Sequence, residues 1–497
     1  MRNLRTSRVS SSNGGGTAFL ALSPGRRVLS ALTVPVALAL LAACSSSSGS
    51  SVSSSTSSAS TPSSVTTPST ATTPSSASSA GSASSPGTAS SPGTASSPYV
   101  LPTDDPAATL TIDSISTYQP ALPVIIADFK AKYPNANLQA KYVPSSSYTT
   151  LIGSQLANGT ASDIISVSPG GASVQTVGVI GKAGYLKDLS DQPWVGEVPA
   201  AYNQSMGVDG KTYIPALASR SINAFYNTTT MDKDGFKEPQ TFNDVLALCA
   251  AASAKGIAAY AIGAATDYES QMISFMFTAS LVPDTKTFIA DRTSGATTFA
   301  KSTWLTVFQN EYQMQQKGCF AKDPNGTTVN AAEAEVANGQ ALAYFGQSNQ
   351  YPAVSALNPS QKIDATTLPA TNNPADTRLS VALEASFGIN AKLSGAKLEV
   401  AERFLDFMMQ PAENEKLATA LSDAPALPDP NFKTTPGVIA LAQFTQQGKT
   451  SLVPDQFFPN PAVRSDWISY TQKMLGGQAT PDDIVNAMDK AWDTGKQ

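Results

Sequence analysis

From Leu110 onward, short runs of β-branched and apolar residues alternate with stretches whose apolar residues recur at helical spacing. Residues 110–112 predict a strand, residues 138–143 a second one, and residues 163–167 a third, buried one. Between the first two strands, apolar side chains fall at i, i+3, i+4 and i+7, on one face of a helix: Leu122, Ile125, Ile126 and Phe129. This order of strands and helices is typical of an α/β sheet.

The same alternation resumes further along the chain. Thr241 and Asp244 have the spacing of a capping box and predict a helix that contains Cys249. Later helices are predicted around residues 304–312, 401–408 and 482–492. The chain therefore predicts mainly helices and parallel strands, in an α/β fold.

The N-terminal segment reads as an export signal. Arg26 and Arg27 precede an apolar run over residues 28–41, which is about 14 residues and too short to cross a bilayer as a helix. The run ends in small residues before Cys44 and so resembles the lipobox of bacterial lipoproteins, in which the cysteine is acylated. We therefore expect a signal peptide over 1–43, and a mature protein held by lipid at the extracellular face of the cell membrane.

A Ser-, Thr-, Ala- and Pro-rich segment follows Cys44 and includes a six-residue repeat at residues 85–96. Such a segment cannot bury enough apolar surface to offset the entropy of ordering it. We expect residues 44–106 to be the lipidated cysteine and a disordered tether. About 400 residues remain, enough for two domains.

Composition excludes several classes of function. The chain has no histidine, so Ser-His-Asp and Cys-His catalysis and His-ligated zinc are absent. Its formal charge is -5, and removal of five arginines with the signal peptide makes it about -10, so nucleic acid is not an expected partner. No metal and no organic cofactor are expected.

Two cysteines besides Cys44 remain for the exported body, Cys249 and Cys319. Disulfides persist outside the cytoplasm, so we expect these two residues to be bridged. Two separately buried thiols are the alternative.

The order of short landmarks resembles the extracellular solute-binding proteins of ABC importers, in particular the family of maltose- and oligosaccharide-binding lipoproteins. One of them is Asp209-Gly210-Lys211-Thr212-Tyr213. The segments that carry the resemblance are 128–134, 155–165, 184–189, 209–215, 225–227, 239–244, 317–320, 338–343, 368–370 and 401–405.

The resemblance implies two α/β lobes joined by a hinge, with a ligand held in the cleft between them. We expect lobe one to comprise residues 107–219 and 366–423, and lobe two to comprise residues 220–365 and 424–497. The implied protein is a monomeric, non-enzymatic receptor. Its partners would be a mono- or oligosaccharide and a membrane permease.

Sugar sites combine aromatic faces with amides, carboxylates and Arg, and in α/β sheets ligands bind at the carboxyl ends of the strands. With the family's pattern, this predicts ligand contacts at Ser116, Tyr118, Gln119, Ser168, Gly170, Ser219, Arg220, Asp267, Tyr268, Asn349, Tyr351, Glu384 and Asp423. Relatives commonly have tryptophan near Tyr268 and Tyr351. For Tyr118 the alternative is packing against the next helix, and for Ser168 and Gly170 it is a plain turn.

Arg220 is a departure from the family pattern. A guanidinium can bind two hydroxyls, but it can also clamp a carboxylate, so an anionic ligand is an alternative. A salt bridge in the hinge is another reading of Arg220, and hinge structure would also account for Glu384 and Asp423. The rival from a different class is an exported carbohydrate-active enzyme with paired carboxylates, at 104–105 or 482–483.

Overall fold

The computed structural model describes residues 99–171, 173–427, 429 and 431–495. Cys44, the predicted signal peptide and almost all of the predicted tether lie outside the described residues. Within the described ranges, no helix has both the length and the apolar character that a membrane crossing requires.

The strands, in chain order, are β1 Ala108–Ile115, β2 Ala136–Val143, β3 Ile164–Val167, β4 Gly207–Val208, β5 Lys211–Thr212, β6 Ala218–Asn227, β7 Ala258–Ala261, β8 Ala341–Gln347, β9 Ile363–Thr366, β10 Leu379–Leu383, β11 Ser386–Ile389, β12 Ala424–Pro425 and β13 Thr450–Leu452. The helices are α1 Leu122–Lys132, α2 Ser145–Asn158, α3 Val177–Ile180, α4 Ala200–Asn203, α5 Thr228–Asp234, α6 Phe242–Ala254, α7 Met272–Leu281, α8 Thr285–Ser294, α9 Trp304–Gln316, α10 Val329–Ala337, α11 Tyr351–Leu357, α12 Gly395–Met408, α13 Pro411–Leu421, α14 Pro436–Gln446, α15 Pro461–Leu475 and α16 Pro481–Thr494.

The first lobe is built on a four-stranded sheet with the order β11-β3-β1-β2. β1 runs parallel to β2 and β3, whereas β11 pairs antiparallel with β3. α1 lies where the apolar spacing predicted a helix, and Leu122 and Phe129 on its inner face are completely buried. Because β1, β2 and β3 are parallel, the segments that follow them all start at one edge of the sheet.

The second lobe is built on a seven-stranded sheet around β6, whose ten residues are all buried. β6 pairs antiparallel with β8, β9, β10 and β12. The prediction of mainly parallel strands is therefore wrong for this sheet. β6 starts where the chain enters the lobe and β10 ends where the chain leaves it, so these neighbours run in opposite directions.

In the described part of the chain, the backbone passes between the two sheets three times. The crossings lie before β6, between β10 and β11, and between α13 and β12. The first immediately precedes Ala218, and the third lies between Leu421 and Ala424. The second lies at residues 384–385, later than the expected 366, because β10 pairs with β6 and so belongs to the second sheet.

Each lobe has its own hydrophobic core. The first contains α1, α12 and the inner faces of β1 and β3, and the second contains an aromatic cluster around Trp304 and Trp467. All four tryptophans of the chain are at most 1% exposed. They therefore stabilise the cores and are not available as platforms for a ligand.

A disulfide joins Cys249 on α6 to Cys319, just after α9, as the sequence predicted. Their Cα atoms are 4.6 Å apart and the residues are separated by 70 positions. The bridge therefore encloses β7 and the helices α7 to α9 in one covalent loop of the second lobe.

Replacing both cysteines by alanine should destabilise the second lobe. Closing a loop of this length restricts the unfolded chain by about 4 kcal/mol in the entropic account. We expect the Cys249→Ala/Cys319→Ala protein to lose about 2 to 4 kcal/mol of unfolding free energy in urea titrations. Wild-type protein in reducing buffer is the control and should lose the same amount. An unchanged midpoint in both samples would show that the bridge adds no stability.

Candidate functional site

A cavity of about 670 Å³ lies between the two sheets and is lined from both lobes. The first lobe supplies mostly hydroxyl and amide side chains, at Thr117, Ser145, Thr149, Ser168, Ser173, Gln175 and Thr176. The second lobe supplies charged, amide and apolar side chains, at Arg220, Ile222, Asp267, Tyr268, Met272, Phe275, Gln347, Asn349, Gln350, Asp455, Gln456 and Arg464. Residues 382–385, at the end of β10 and in the second crossing, also line it.

The first-lobe wall is built from the segments that follow the parallel strands. Thr117 follows β1, Thr149 lies in the first turns of α2 after β2, and Ser168 follows β3. The Thr149 hydroxyl donates to Gln175 Oε1 at 2.6 Å, and Gln175 Nε2 donates to Ser168 Oγ at 3.1 Å. These side chains are therefore held in fixed positions, with hydroxyl groups at the carboxyl edge of the sheet.

Arg220, on β6, occupies the junction of the three crossings. Its guanidinium forms ion pairs with Glu384, from the second crossing, and with Asp423, from the third, the latter at 2.7 Å between Nη2 and Oδ2. Nη1 also donates to Gln347 Oε1 at 2.9 Å. Arg220 is 9% exposed and Asp423 is completely buried. The salt bridge that the sequence left as an alternative reading of Arg220 is therefore present, and it joins all three crossing segments.

Burial raises the pKa of Asp423 to about 6, and the neighbouring Arg220 partly offsets that effect. Two carboxylates share one guanidinium, so the positive charge of Arg220 is already balanced within the protein. Arg464 is likewise paired, with Asp455 at 2.8 Å. Among the cavity-lining residues, the two cationic side chains thus both have carboxylate partners.

Tyr268 and Phe275 are the aromatic side chains among the residues lining the cavity. Tyr268 is half-buried, and burial raises the pKa of its hydroxyl to about 12, so the ring carries a neutral hydroxyl. Asp267 beside it is exposed. This corner offers an apolar face, a hydroxyl and a carboxylate within consecutive residues of one segment.

Several buried polar atoms of the wall have no protein partner among the described residues. They are Arg220 Nε, Asn349 Oδ1, Asp455 Oδ1 and Gln456 Oε1. An unpaired buried polar group costs about 1 to 3 kcal/mol, so such atoms indicate a site that polar ligand groups or water complete.

A buried carboxylate supports the wall from behind. Gln350 Nε2 donates to Glu269 Oε1 at 3.1 Å and to the Tyr344 hydroxyl at 2.8 Å, and that hydroxyl donates to Glu269 Oε2. Burial raises the pKa of Glu269 to about 7. Glu269 therefore orients the Gln350 amide, which lines the cavity, and Gln350 Oε1 in turn accepts from the backbone N–H of Gln347.

Six of the residues predicted as ligand contacts lie together on the cavity wall. They are Ser168, Arg220, Asp267, Tyr268, Asn349 and Glu384.

Asp423 lies one step behind the wall, against Arg220. Ser219 is buried at the first crossing and pairs with β10 and β12, while Gly170 packs on the second lobe near Gln456. None of the three is among the cavity-lining residues.

Four further predicted contacts are not among the cavity-lining residues. Tyr118 is completely buried, packs edge-on against Phe387 of β11 and donates its hydroxyl to the carbonyl of Ala385. Tyr351 packs on Phe225 inside the second lobe. Ser116 and Gln119 are not among the cavity-lining residues.

Sequence reasoning missed Thr117, Thr149 and Gln175, and also Gln456 and Arg464. The first two follow parallel strands, so the rule about carboxyl ends could have found them. Gln456 and Arg464 come from a part of the chain more than 200 residues after β6, and no local pattern marks them.

The chain belongs to the family of bacterial extracellular solute-binding proteins, whose sequence pattern matches residues 124–444. A multiple sugar-binding protein of Streptococcus mutans is 24% identical over 131 residues, which is 26% of this chain and only 30% of that relative's length.

Solved structures share the fold. A chitin oligosaccharide binding protein aligns with a TM-score of 0.65 at 20% identity, over 78% of this chain and 99% of its own. A sugar transporter from Bacillus licheniformis in complex with stachyose aligns with a TM-score of 0.60 at 19% identity, over 78% of this chain and 100% of its own. The two-lobed fold with a hinge and an inter-lobe cleft is therefore shown.

Replacing Arg220 by methionine should destabilise the protein strongly, because Glu384 and Asp423 would be left buried without a counter-charge. Breaking a buried ion pair in this way typically costs about 3 to 5 kcal/mol. The Asp423 pKa, already raised, would rise further, so the folded state would bind a proton more tightly than the unfolded chain. The loss of stability should therefore be smaller at pH 5 than at pH 8, as measured by urea unfolding at both values.

Arg464→Met is the matched control, because Arg464 pairs with a single carboxylate and its side chain is 32% exposed. Its loss should be well below that of Arg220→Met. Equal losses in the two variants, or a loss for Arg220→Met that is independent of pH, would contradict the role assigned to Arg220.

Proposed function

We propose that this protein is a lipid-anchored receptor that captures a small neutral carbohydrate between its lobes and delivers it to the permease of an ABC importer. The observation that carries the proposal is the cavity itself, which both lobes line. A ligand there contacts both lobes only when they are closed, and so selects the closed form. The cavity volume of about 670 Å³ lies within the usual range for small-molecule sites.

The lining supports a ligand with many hydroxyl groups. Hydroxyl and amide side chains of the first lobe line the cavity together with Asn349 and Gln350 of the second. Tyr268 and Phe275 offer apolar surface for the C–H face of a sugar ring. Chitin oligosaccharide and stachyose, which the names of two structural neighbours mention, belong to the same chemical class.

The charge balance of the wall favours a neutral ligand over an anion. Arg220 pairs with two carboxylates and Arg464 with one, and Asp267 adds a further negative charge at the same wall. An acidic solute would meet no unneutralised cation among the described lining residues. The anionic alternative therefore loses its main argument, which was Arg220.

The enzyme alternative has no support from its candidate carboxylates. Asp104 pairs with Arg403, Asp105 accepts from the backbone of Asn135, and Asp483 caps α16. These three and Asp482, the fourth candidate, are not among the cavity-lining residues. The family and its structural neighbours are binding proteins.

Membrane anchoring rests on the sequence around Cys44, which lies outside the described residues. An acylated Cys44 would keep the receptor beside its importer, and the Ser- and Thr-rich tether would let the folded body reach on the order of 40 Å from the lipid.

A thermal-unfolding screen against neutral, acidic and amino sugars tests the proposal. A neutral sugar at 100 times its dissociation constant should stabilise the protein by roughly 2.7 kcal/mol without forming products. Tyr268→Ala should weaken that binding about tenfold, which is about 1.4 kcal/mol. Tyr351→Ala is the control and should leave the affinity unchanged, because Tyr351 packs on Phe225 and is not among the cavity-lining residues.

Glycan turnover would favour the enzyme. Stabilisation by acidic sugars alone would favour the anion-binding alternative.

A further inference from the structure

We infer that Gly170 and Gly171 form the contact surface of the first lobe against which the second lobe closes. Because these two residues have no side chains, the lobes can approach closely, and this approach determines how far the cleft closes. This inference rests on the proposed function, because closing matters only if the cleft holds a ligand. It assigns to Gly170 a role different from the direct ligand contact expected from the sequence.

The two main chains approach each other closely at this contact. A Cβ atom on Gly171 would lie 2.6 Å from the carbonyl oxygen of Phe458, and one on Gly170 would lie 2.7 Å from Cα of Gln456. Cβ atoms essentially never approach other heavy atoms within 3.0 Å. Gly170 and Gly171 follow β3 in the first lobe, whereas Gln456 and Phe458 follow β13 in the second. The lobes therefore meet here backbone to backbone.

The first-lobe side of this contact is fixed. The N–H of Gly170 donates to the carbonyl of Ser205 at 2.8 Å, and the carbonyl of Gly170 accepts from the N–H of Gly178 at 2.8 Å. A displaced loop would break both bonds. The glycine loop therefore cannot simply move aside to make room for a side chain.

The second-lobe side is fixed as well. Phe458 is 1% exposed and belongs to the aromatic core of its lobe. Gln456 Nε2 donates to the carbonyl of Leu383 at 3.0 Å, and Asp455 is held by Arg464. Because neither segment can yield locally, an added methyl group is accommodated by separating the lobes.

The contact adjoins the ligand cavity directly. Ser168 and Pro169, next to the two glycines, line the cavity from the first lobe, and Asp455 and Gln456 line it from the second. Separating the lobes here would open the cavity at its rim. The apparent dissociation constant rises in proportion as the fraction of closed, binding-competent protein falls.

Gly171 allows a clean test, because its backbone is not in the left-handed region, whereas Gly170 has a φ of +75°. Gly171→Ala therefore adds a methyl group at the contact without straining the backbone. Gly153→Ala is its matched control, since a Cβ on Gly153, in α2 of the same lobe, meets nothing within 4 Å. Gly170→Ala can be compared with Gly184→Ala, which has a φ of +77° and open space around it.

The experiment uses the full chain and two measurements. Hydrogen exchange without sugar should be faster in Gly171→Ala than in wild type for peptides covering 168–171 and 454–458, and unchanged in the two core sheets. The dissociation constant for stachyose or a chitin oligosaccharide should rise at least tenfold. Gly153→Ala should match wild type in both measurements. The increases in exchange rate and in dissociation constant should be larger for Gly170→Ala than for Gly184→Ala.

Unchanged exchange and affinity in Gly171→Ala would overturn the inference. So would faster exchange throughout the first-lobe sheet, because the contact would then belong to folding and not to closure. If neither sugar binds the wild-type protein, the proposed binding of these sugars is contradicted. The exchange measurement, which needs no sugar, still decides whether the two glycines form the closure contact.

Discussion

The structure depends on the ion-pair cluster in which Arg220 binds Glu384 and Asp423. Each of these residues lies at a different crossing between the lobes, so one buried guanidinium ties together the three segments that form the hinge. Two buried carboxylates would repel each other without it, and burial keeps the pKa of Asp423 raised even in its presence. Buried ion pairs thus hold the hinge segments together, whereas an apolar core of its own stabilises each lobe.

The same cluster connects the hinge to the ligand site. Arg220 holds Gln347, whose backbone N–H in turn donates to Gln350, and Gln350 is oriented by the buried Glu269. Opposite this polar wall, the parallel strands of the first lobe present hydroxyl groups at their carboxyl ends. Because the cations of the wall are paired within the protein, its hydrogen-bonding groups suit a neutral, hydroxyl-rich solute.

Sequence patterns predicted the first sheet, α1, the capping box of α6 and the disulfide, because each depends on local spacing or on the redox compartment. They predicted only part of the site. Tyr118 follows β1 as a ligand-binding tyrosine would, yet it packs against Phe387, which is 269 positions away in the sequence. Gln456 and Arg464 reach the cavity through the third crossing, and the antiparallel pairing of β6 with β10 likewise follows from chain topology. Contacts of this kind are set by tertiary structure, so local periodicity carries no signal for them.

The most direct test of the account is the distance between the lobes with and without a sugar. Spin labels can be attached at Thr150→Cys on α2 and Ser465→Cys on α15 in a Cys44→Ser background. Both positions are exposed and next to cavity-lining residues. Pulsed electron paramagnetic resonance would then measure the distance between the two labels. The account predicts that a bound sugar shortens and narrows the distance distribution. An unchanged distribution at saturating sugar would contradict closure of two lobes around a solute.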